Sequence, residues 1–139
     1  MRELYVLLAN IIEFFNNQII SNQIENWGRI GDTSLVAEVD KKRIGIAWFR
    51  LWTDLDPMFG FIDSAIPAVG IAVLKQNRSQ GIGRTLMTEL INVANIDGYS
   101  ALSLSVEPEN FSRILYESLG FVKVAIAGTT WIYKLELHK

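Results

Sequence analysis

Residues 78–84, Arg-Ser-Gln-Gly-Ile-Gly-Arg, separate an apolar run from an amphipathic segment. The apolar run, Ile71-Ala72-Val73-Leu74, predicts a buried strand because it is continuous and half of it is β-branched. Apolar residues then recur with the period of a helix, at Ile82, Leu86, Leu90, Val93 and Ala94. A strand, a short glycine-containing loop and a helix therefore follow one another at the middle of the chain.

The loop between this strand and this helix has the features of an anion-binding turn. Gly81 and Gly83 carry no Cβ, so the backbone can turn tightly and approach a ligand closely. The first N–H groups of a helix have no acceptor within it, and the helix dipole favours negative charge at the same end. A pyrophosphate is a common ligand of such a terminus. We predict a phosphate-binding loop here; the alternative is a turn that needs small residues only for packing.

Two common nucleotide-binding motifs do not match this loop. The dinucleotide fingerprint Gly-x-Gly-x-x-Gly would need a third glycine where Leu86 stands, and the chain contains no P-loop string. The pattern that fits is Arg-x-x-Gly-x-Gly, from Arg78 to Gly83. Preceded by Gly-Ile-Ala-Val-Leu, it resembles the coenzyme A loop of the GCN5-related N-acetyltransferases (GNAT).

A second stretch resembles the same family. Residues 101–106 alternate apolar and polar, which predicts a half-exposed strand, and residues 107–110, Glu-Pro-Glu-Asn, end it. A helix is predicted next, with Phe111, Leu115 and Leu119 on one face and Gly120 as its C-terminal cap. The positions that match the family's second motif are Val106, Pro108, Asn110, Arg113, Tyr116, Glu117, Gly120 and Phe121. The resemblance is strong from about residue 67 to residue 137 and weaker before it.

The resemblance implies an α/β fold with a mixed, mostly antiparallel twisted sheet flanked by helices, in one domain over residues 1–139. Further strands are predicted at residues 33–39, 43–52, 120–127 and 130–137. A short helix near residues 22–27, a loop at 54–58 and a short extra segment near 59–62 are also predicted. One departure is expected at the start. Apolar residues with helical spacing, from Leu4 to Phe15, predict that the chain begins in a helix and lacks the family's first strand, unless the natural protein starts upstream of Met1. An exposed edge near Thr33 would then favour a homodimer.

For the site, the resemblance implies that acetyl-CoA is the cofactor. It implies that the loop holds the pyrophosphate and that the backbone of residues 71–73 pairs with the pantetheine arm, with the Val73 N–H as oxyanion donor. The cofactor-binding residues expected on this basis are Ile71, Ala72, Val73, Arg78, Ser79, Gln80, Gly81, Ile82, Gly83, Arg84 and Asn110. Tyr116 is the expected general acid, because a phenol can protonate a departing thiolate. The alternative is that Tyr116 only packs on its helix face.

The general base is not found where many members of the family carry a glutamate, because Ala68 stands there. The acidic residues considered as a general base instead are Asp63, Asp32 and Glu38. Each of them is also explained as a surface or capping residue. The protein is therefore interpreted as an enzyme that transfers an acetyl group from acetyl-CoA directly to an amine, with the acceptor not specified. A non-catalytic acyl-CoA-binding regulatory module remains the alternative, and Leu86 disfavours a dinucleotide enzyme.

Some tryptophan and arginine side chains have both a structural and a functional interpretation. Trp48 and Trp131 lie in strand patterns and are expected in the core, whereas Trp27 is a candidate for an acceptor pocket. Arg29 and Arg50 could bind a carboxylate on the acceptor, or lie on the surface in solvent.

Composition limits the other functions. The 139 residues suffice for one domain with its own core, and a net charge of −2 without a basic stripe gives little support to nucleic-acid binding. The absence of cysteine excludes disulfides and thiolate metal sites, and we expect no metal. The apolar stretches are too short to span a bilayer, and no signal-peptide pattern is present. The cytoplasm is the expected location, and a small-molecule or peptide amine is the expected partner.

Overall fold

The computed structural model describes residues 4–8, 27–53 and 61–137. The helix predicted near residues 22–27 and the loop predicted at 54–58 lie almost wholly outside these ranges, and the extra segment near 59–62 lies partly outside them. Within them the chain forms seven strands and two α-helices: β1 Leu4–Leu8, β2 Thr33–Val39, β3 Lys42–Arg50, β4 Ala68–Val73, α1 Ile82–Ile96, β5 Ala101–Val106, α2 Ser112–Ser118, β6 Val122–Ala127 and β7 Thr130–Glu136. None of the helices in these ranges has the length and apolar character needed to cross a membrane.

The strands form one mixed sheet in the order β1-β2-β3-β4-β5-β7-β6. Neighbouring strands pair antiparallel at β1–β2, β2–β3, β5–β7 and β6–β7, and β4 pairs parallel with β5 at Ala68 and Ser103. The prediction of a mixed, mostly antiparallel sheet flanked by helices is confirmed. The strands predicted at 33–39 and 101–106 have the expected bounds.

The prediction that the chain begins in a helix and lacks its first strand is wrong. Leu4–Leu8 is strand β1, which pairs with β2 in a register from Leu4 opposite Val39 to Leu8 opposite Leu35. Five consecutive apolar residues satisfy the pattern of a helix and of a strand equally, so periodicity cannot decide between them. Here the backbone of β2 supplies hydrogen-bond partners, so residues 4–8 form a strand and not a helix. The edge near Thr33 is therefore covered, and the argument for a dimer through it fails.

The chain divides into two compact units. The first contains residues 1–50 and 70–90. In it, α1 packs against β3 where Gly45 leaves room, because a Cβ there would lie 3.1 Å from a Leu86 methyl and 3.3 Å from an Ile82 methyl. The part of the predicted stripe of α1 that lies in this unit is buried, at Ile82, Leu86 and Leu90. On β3, Trp48 is buried as expected.

The second unit contains residues 51–69 and 91–139. Two expectations about it are wrong. Ser103 of β5 is fully buried rather than on an exposed face, and its hydroxyl donates to the carbonyl of Pro67 at 3.4 Å. Phe111 is 86% exposed, and the side chain that α2 buries is Tyr116. The helix begins at Ser112 and Phe111 is its N-cap residue, so Phe111 lies outside the face that packs.

The end of α2 follows its prediction. Gly120 has a φ of +105°, its N–H donates to the carbonyl of Glu117, and the Phe121 N–H donates to the carbonyl of Tyr116, both at 3.1 Å. These two bonds form a Schellman motif, in which a residue with positive φ ends the helix. The final hairpin then turns through Gly128, as expected.

Candidate active site

The loop between β4 and α1 is an exposed turn with an unusual backbone. The end of β4 is fixed by the Leu74 N–H, which donates to the carbonyl of Ile44 at 2.8 Å, and a 3₁₀ turn follows at Lys75–Asn77. Ser79 and Gly81 then have φ values of +64° and +79°. A Cβ placed on Gly81 would have no protein atom within 4 Å, so crowding does not require a glycine here. The positive φ does, because a residue with a Cβ rarely adopts it.

The start of α1 leaves donors at this loop. Thr85 makes the first bond of the helix, from its N–H to the carbonyl of Gly81 at 3.1 Å, and its hydroxyl donates to the same oxygen. The N–H groups of Ile82 and Gly83 therefore have no acceptor within the helix. Arg78 and Arg84 add positive charge, and residues 78–81 are exposed. These donors, charges and open backbone fit a pyrophosphate, and so they fit coenzyme A.

Strand β4 differs from its predicted environment. Ile71, Ala72 and Val73 are half-buried, whereas a fully buried strand was expected. The carbonyl of Val73 accepts a hydrogen bond from the Nε–H of Arg78 at 3.1 Å, which links the end of the strand to the first residue of the loop motif.

Two of the three acidic residues considered as a general base, Asp63 and Asp32, have hydrogen-bond partners of their own. Ala68, the first residue of β4, is buried, and its methyl group cannot accept a proton. Asp63 is exposed and accepts the N–H of Ala65 at 2.8 Å, which is a turn-capping role. Glu38 lies in β2 opposite Tyr5 of β1.

Asp32 is a structural carboxylate. It accepts the N–H groups of Gly28 and Arg29 and the Nε–H and Nη2–H of Arg50, each at 2.9 Å. Both side chains of this ion pair are almost fully buried, and Arg50 lies 5.1 Å from the centre of the Trp27 ring. Arg50 is therefore not the surface group that the sequence suggested. Nothing in the sequence connects two residues 18 positions apart.

In the second unit, Asn110 caps the start of α2. Its Oδ1 accepts the Ser112 N–H at 2.8 Å, and its side chain is exposed. The Oδ1 atom is thus occupied, and the amide NH₂ is the group that can donate to a ligand.

Tyr116 lies on the buried side of α2, 7% exposed, with its ring edge-on to Phe121 at 6.0 Å between centroids. Burial raises the pKa of the Tyr116 phenol above its ordinary value, and a side-chain hydrogen bond with Ser112 partly offsets this. The phenol therefore holds its proton at neutral pH.

Sequence reasoning missed a group of side chains beside α2. Tyr133 of β7 donates its hydroxyl to Glu117 Oε2 at 2.5 Å, and Arg113 pairs with the same carboxylate at 3.5 Å. Trp131 of β7 faces Arg113 and Lys123, whose charged groups lie 5.9 and 4.0 Å from its ring centre. Alternation along β7 puts Trp131 and Tyr133 on one face, which was the available signal. In the part of the chain that the structure describes, no three His, Asp or Glu side chains gather as a metal site.

Comparison with known proteins identifies the family of this chain. The family model of the acetyltransferase (GNAT) domain matches residues 31–123, which is more than half of the chain. A search of curated proteins found none that matches the sequence.

Solved structures are similar over nearly the whole chain. An N-acetyltransferase from Staphylococcus aureus has a TM-score of 0.72 at 19% identity, covering 98% of this chain and 99% of the other. An acetyltransferase from Salmonella typhimurium, solved with its cofactor acetyl-CoA, has a TM-score of 0.75 at 21% identity, with coverages of 98% and 95%. A ribosomal-protein-alanine N-acetyltransferase from Brucella melitensis has a TM-score of 0.72 at 22% identity, with coverages of 96% and 99%. The chain therefore belongs to the GNAT family and is an acetyl-CoA-dependent N-acetyltransferase.

Proposed function

We propose that this enzyme holds acetyl-CoA on β4 and the loop at residues 78–84 and transfers the acetyl group directly to an amine. The observation that carries the proposal is the pair of positive φ values at Ser79 and Gly81, immediately before a helix whose first N–H groups have no partner within it. That backbone exposes several N–H groups to one anion, which supports pyrophosphate binding.

The remaining cofactor contacts are proposed residue by residue. Backbone N–H groups of residues 79–84 bind the pyrophosphate, and Arg78 and Arg84 contribute charge. Backbone groups of residues 71–73 bind the pantetheine arm, with the Val73 N–H as oxyanion donor, and the amide NH₂ of Asn110 donates to the cofactor. When bound, acetyl-CoA supplies an acetyl group activated as a thioester.

Tyr116 is proposed as the general acid. Its Oη keeps a proton at neutral pH because burial raises its pKa. Transfer of that proton to a thiolate is uphill, because a thiol is the stronger acid and burial of the phenol widens the difference. A donor that keeps its proton until the thiolate forms is compatible with the role of general acid.

We propose no dedicated carboxylate base, because Ala68 offers none and Asp32 is engaged in four hydrogen bonds. The acceptor must then arrive neutral. At pH 7.5 about a third of an α-amino group is neutral, against about 0.1% of a lysine side chain. This favours peptide N-termini or small amines of low pKa as acceptors. The name of the Brucella neighbour, a ribosomal-protein-alanine N-acetyltransferase, points to the same kind of acceptor.

The loop is tested by the variant Gly81→Val with Gly98→Val as its matched control. Both glycines have positive φ, +79° and +87°, and a Cβ on either meets no protein atom within 4 Å. Both variants therefore incur similar backbone strain, but only Gly81 lies in the proposed loop. By calorimetry, we expect CoA affinity to fall at least tenfold, about 1.4 kcal/mol, in Gly81→Val. In Gly98→Val it should stay within twofold. Equal losses in the two variants would remove the loop from the account.

We also propose a homodimer and a cytoplasmic location. The dimer now rests on three apolar side chains of the edge strand β6, each more than half exposed: Val122, Val124 and Ile126. Light scattering at micromolar concentration should give twice the chain mass of 15.7 kDa, and a single chain mass would contradict the dimer. The location is the one expected from the sequence, and fractionation of the source cells tests it.

A further inference from the structure

Helix α2, which carries Tyr116, is too short to fix its own position. It has seven residues, about two turns, and one side-chain hydrogen bond at its start, from the Ser112 N–H to Asn110 Oδ1. Isolated helices of this length are marginal in water. The orientation of α2 therefore depends on its contacts with the neighbouring strands and turns.

The strongest polar contact comes from β7. Tyr133 is almost fully buried there, and its hydroxyl donates to Glu117 Oε2 at 2.5 Å. Burial and the adjacent Glu117 carboxylate both raise the pKa of Tyr133, whereas Arg113 lowers it. The hydroxyl therefore keeps its proton throughout the neutral range and remains a donor.

The same carboxylate connects to the other end of the helix. Arg113, one turn earlier in α2, approaches Glu117 Oε2 with its Nη1 at 3.5 Å. The Nε–H of Arg113 donates to the carbonyl of Pro108 at 2.8 Å, in the turn that leads to Asn110. Tyr133, Glu117 and Arg113 thus form one chain of contacts from β7 through both turns of α2 to the preceding turn.

Glu117 follows Tyr116 directly in the sequence, so a restraint on one limits rotation of the other about the helix axis. A rotation of about 10° moves atoms at the helix surface by about 1 Å. An error of about 1 Å in a catalytic group can cost about 100-fold in rate. A carboxylate held from two sides therefore limits rotation of the helix segment that carries the phenol.

We propose that Glu117 and Tyr133 are positioning residues that hold Tyr116 in its reactive orientation. The inference rests on the proposed role of Tyr116 as general acid. Neither residue needs to touch a substrate for this, and both act through α2.

The kinetic test uses Tyr133→Phe, which keeps the ring and removes the donor. We expect kcat to fall about tenfold while KM for acetyl-CoA stays within twofold. Glu117→Ala should lower kcat by the same factor as Tyr133→Phe. Glu117→Gln keeps an acceptor oxygen, so its kcat should stay within threefold of wild type. In a Tyr116→Phe background, Tyr133→Phe should lower kcat by less than twofold further, because the group it positions is gone. Equal losses in both backgrounds, or no loss, would refute the proposal.

A second readout needs no substrate. In protein labelled with ¹³C at tyrosine Cζ, the Tyr116 signal is identified by its disappearance in Tyr116→Phe. It should move in Tyr133→Phe and in Glu117→Ala. The matched control is Glu136→Gln, which removes a β7 carboxylate paired with Lys134 at 2.8 Å, outside the chain of contacts, and it should leave the signal in place. An unmoved signal in both test variants would refute the positioning role.

The two readouts separate this inference from the proposed function. Loss of the general-acid role would show as full turnover in Tyr116→Phe, whatever the labelled signal does. If Tyr133→Phe does not fold, the pair Glu117→Ala and Glu117→Gln decides the question, because Glu117 is 43% exposed and its replacement leaves no buried gap.

Discussion

The replacement Gly70→Ala should disturb the strand that is proposed to hold the cofactor. A Cβ at this position would lie 2.7 Å from Cη2 of Trp48 and closer still to Cζ2 and Cε2 of the same ring. Carbon atoms do not approach to such distances, and Trp48 is only 5% exposed, so the ring has no open direction in which to move. Either the indole or the backbone of β4 must shift.

The expected magnitude combines two opposing effects. Overpacking of a filled core costs about 1–3 kcal/mol, and this contact belongs near the upper end of that range. The smaller entropy of an unfolded chain with alanine returns about 0.4–1 kcal/mol. The free energy of unfolding should therefore fall by about 2 kcal/mol, which lowers Tm by about 6–8 °C for a domain of this size. Residues 71–73, which are proposed to bind the pantetheine arm, follow Gly70 directly and would shift with it. CoA affinity should therefore fall about tenfold, about 1.4 kcal/mol.

Urea denaturation and CoA calorimetry measure both effects, with Gly45→Ala as the graded control. A Cβ at Gly45 has its closest contacts at 3.1–3.3 Å, so its cost should stay below about 1 kcal/mol. Trp48→Leu alone should be destabilising, but Gly70→Ala should cost almost nothing in that background. A Gly70→Ala variant as stable as wild type would contradict the predicted clash with Trp48. An equal loss of unfolding free energy from Gly70→Ala in the wild-type and the Trp48→Leu backgrounds would contradict it too.

Four further predictions address the site and its surroundings. Tyr116→Phe should lower kcat about 100-fold with little change in CoA affinity, and a rate within twofold of wild type would make the residue structural. Asp32→Ala should cost about 3–5 kcal/mol in unfolding free energy, because it leaves the buried Arg50 charge unpaired, and a loss under 1 kcal/mol in denaturation would contradict this. Folding raises the pKa values of Tyr116 and Tyr133, so their contribution to stability is complete below pH 10 and is lost as the pH rises through the pKa values of the folded state. The free energy of unfolding, measured from pH 9 to 12, should therefore fall less steeply in Tyr133→Phe than in wild type. Without an enzyme base, kcat/KM should rise with pH toward the pKa of each acceptor, and a shared inflection near pH 7 for two acceptors of different basicity would reveal a base.

Local patterns in the sequence predicted the elements that a single physical rule determines. The strand at Ile71–Val73, the helix that starts at Ile82 and the cap at Gly120 each follow from apolar periodicity or from the backbone freedom of glycine. The two family motifs added the cofactor loop and the candidate acid Tyr116, neither of which composition or spacing alone would identify.

The errors arise where a distant partner decides the outcome. Leu4–Leu8 is a strand because β2 offers it an edge, and Ser103 is buried because Pro67 provides an acceptor. The ion pair of Asp32 with Arg50 and the bond of Tyr133 to Glu117 join residues 18 and 16 positions apart. Each pair joins two separate segments of the chain, so a search for periodicity within one helix or strand cannot find it.

The most direct test of the account is the stoichiometry of thiol release from acetyl-CoA with a panel of amines. We expect one CoA thiol for each acetylated amine, no release without an acceptor, and faster reaction with α-amines than with lysine side chains. This is the result of direct transfer at a site with Tyr116 as acid and no carboxylate base. Thiol release in one enzyme equivalent before any acceptor is added would contradict direct transfer, and CoA binding without release for any amine would contradict catalysis.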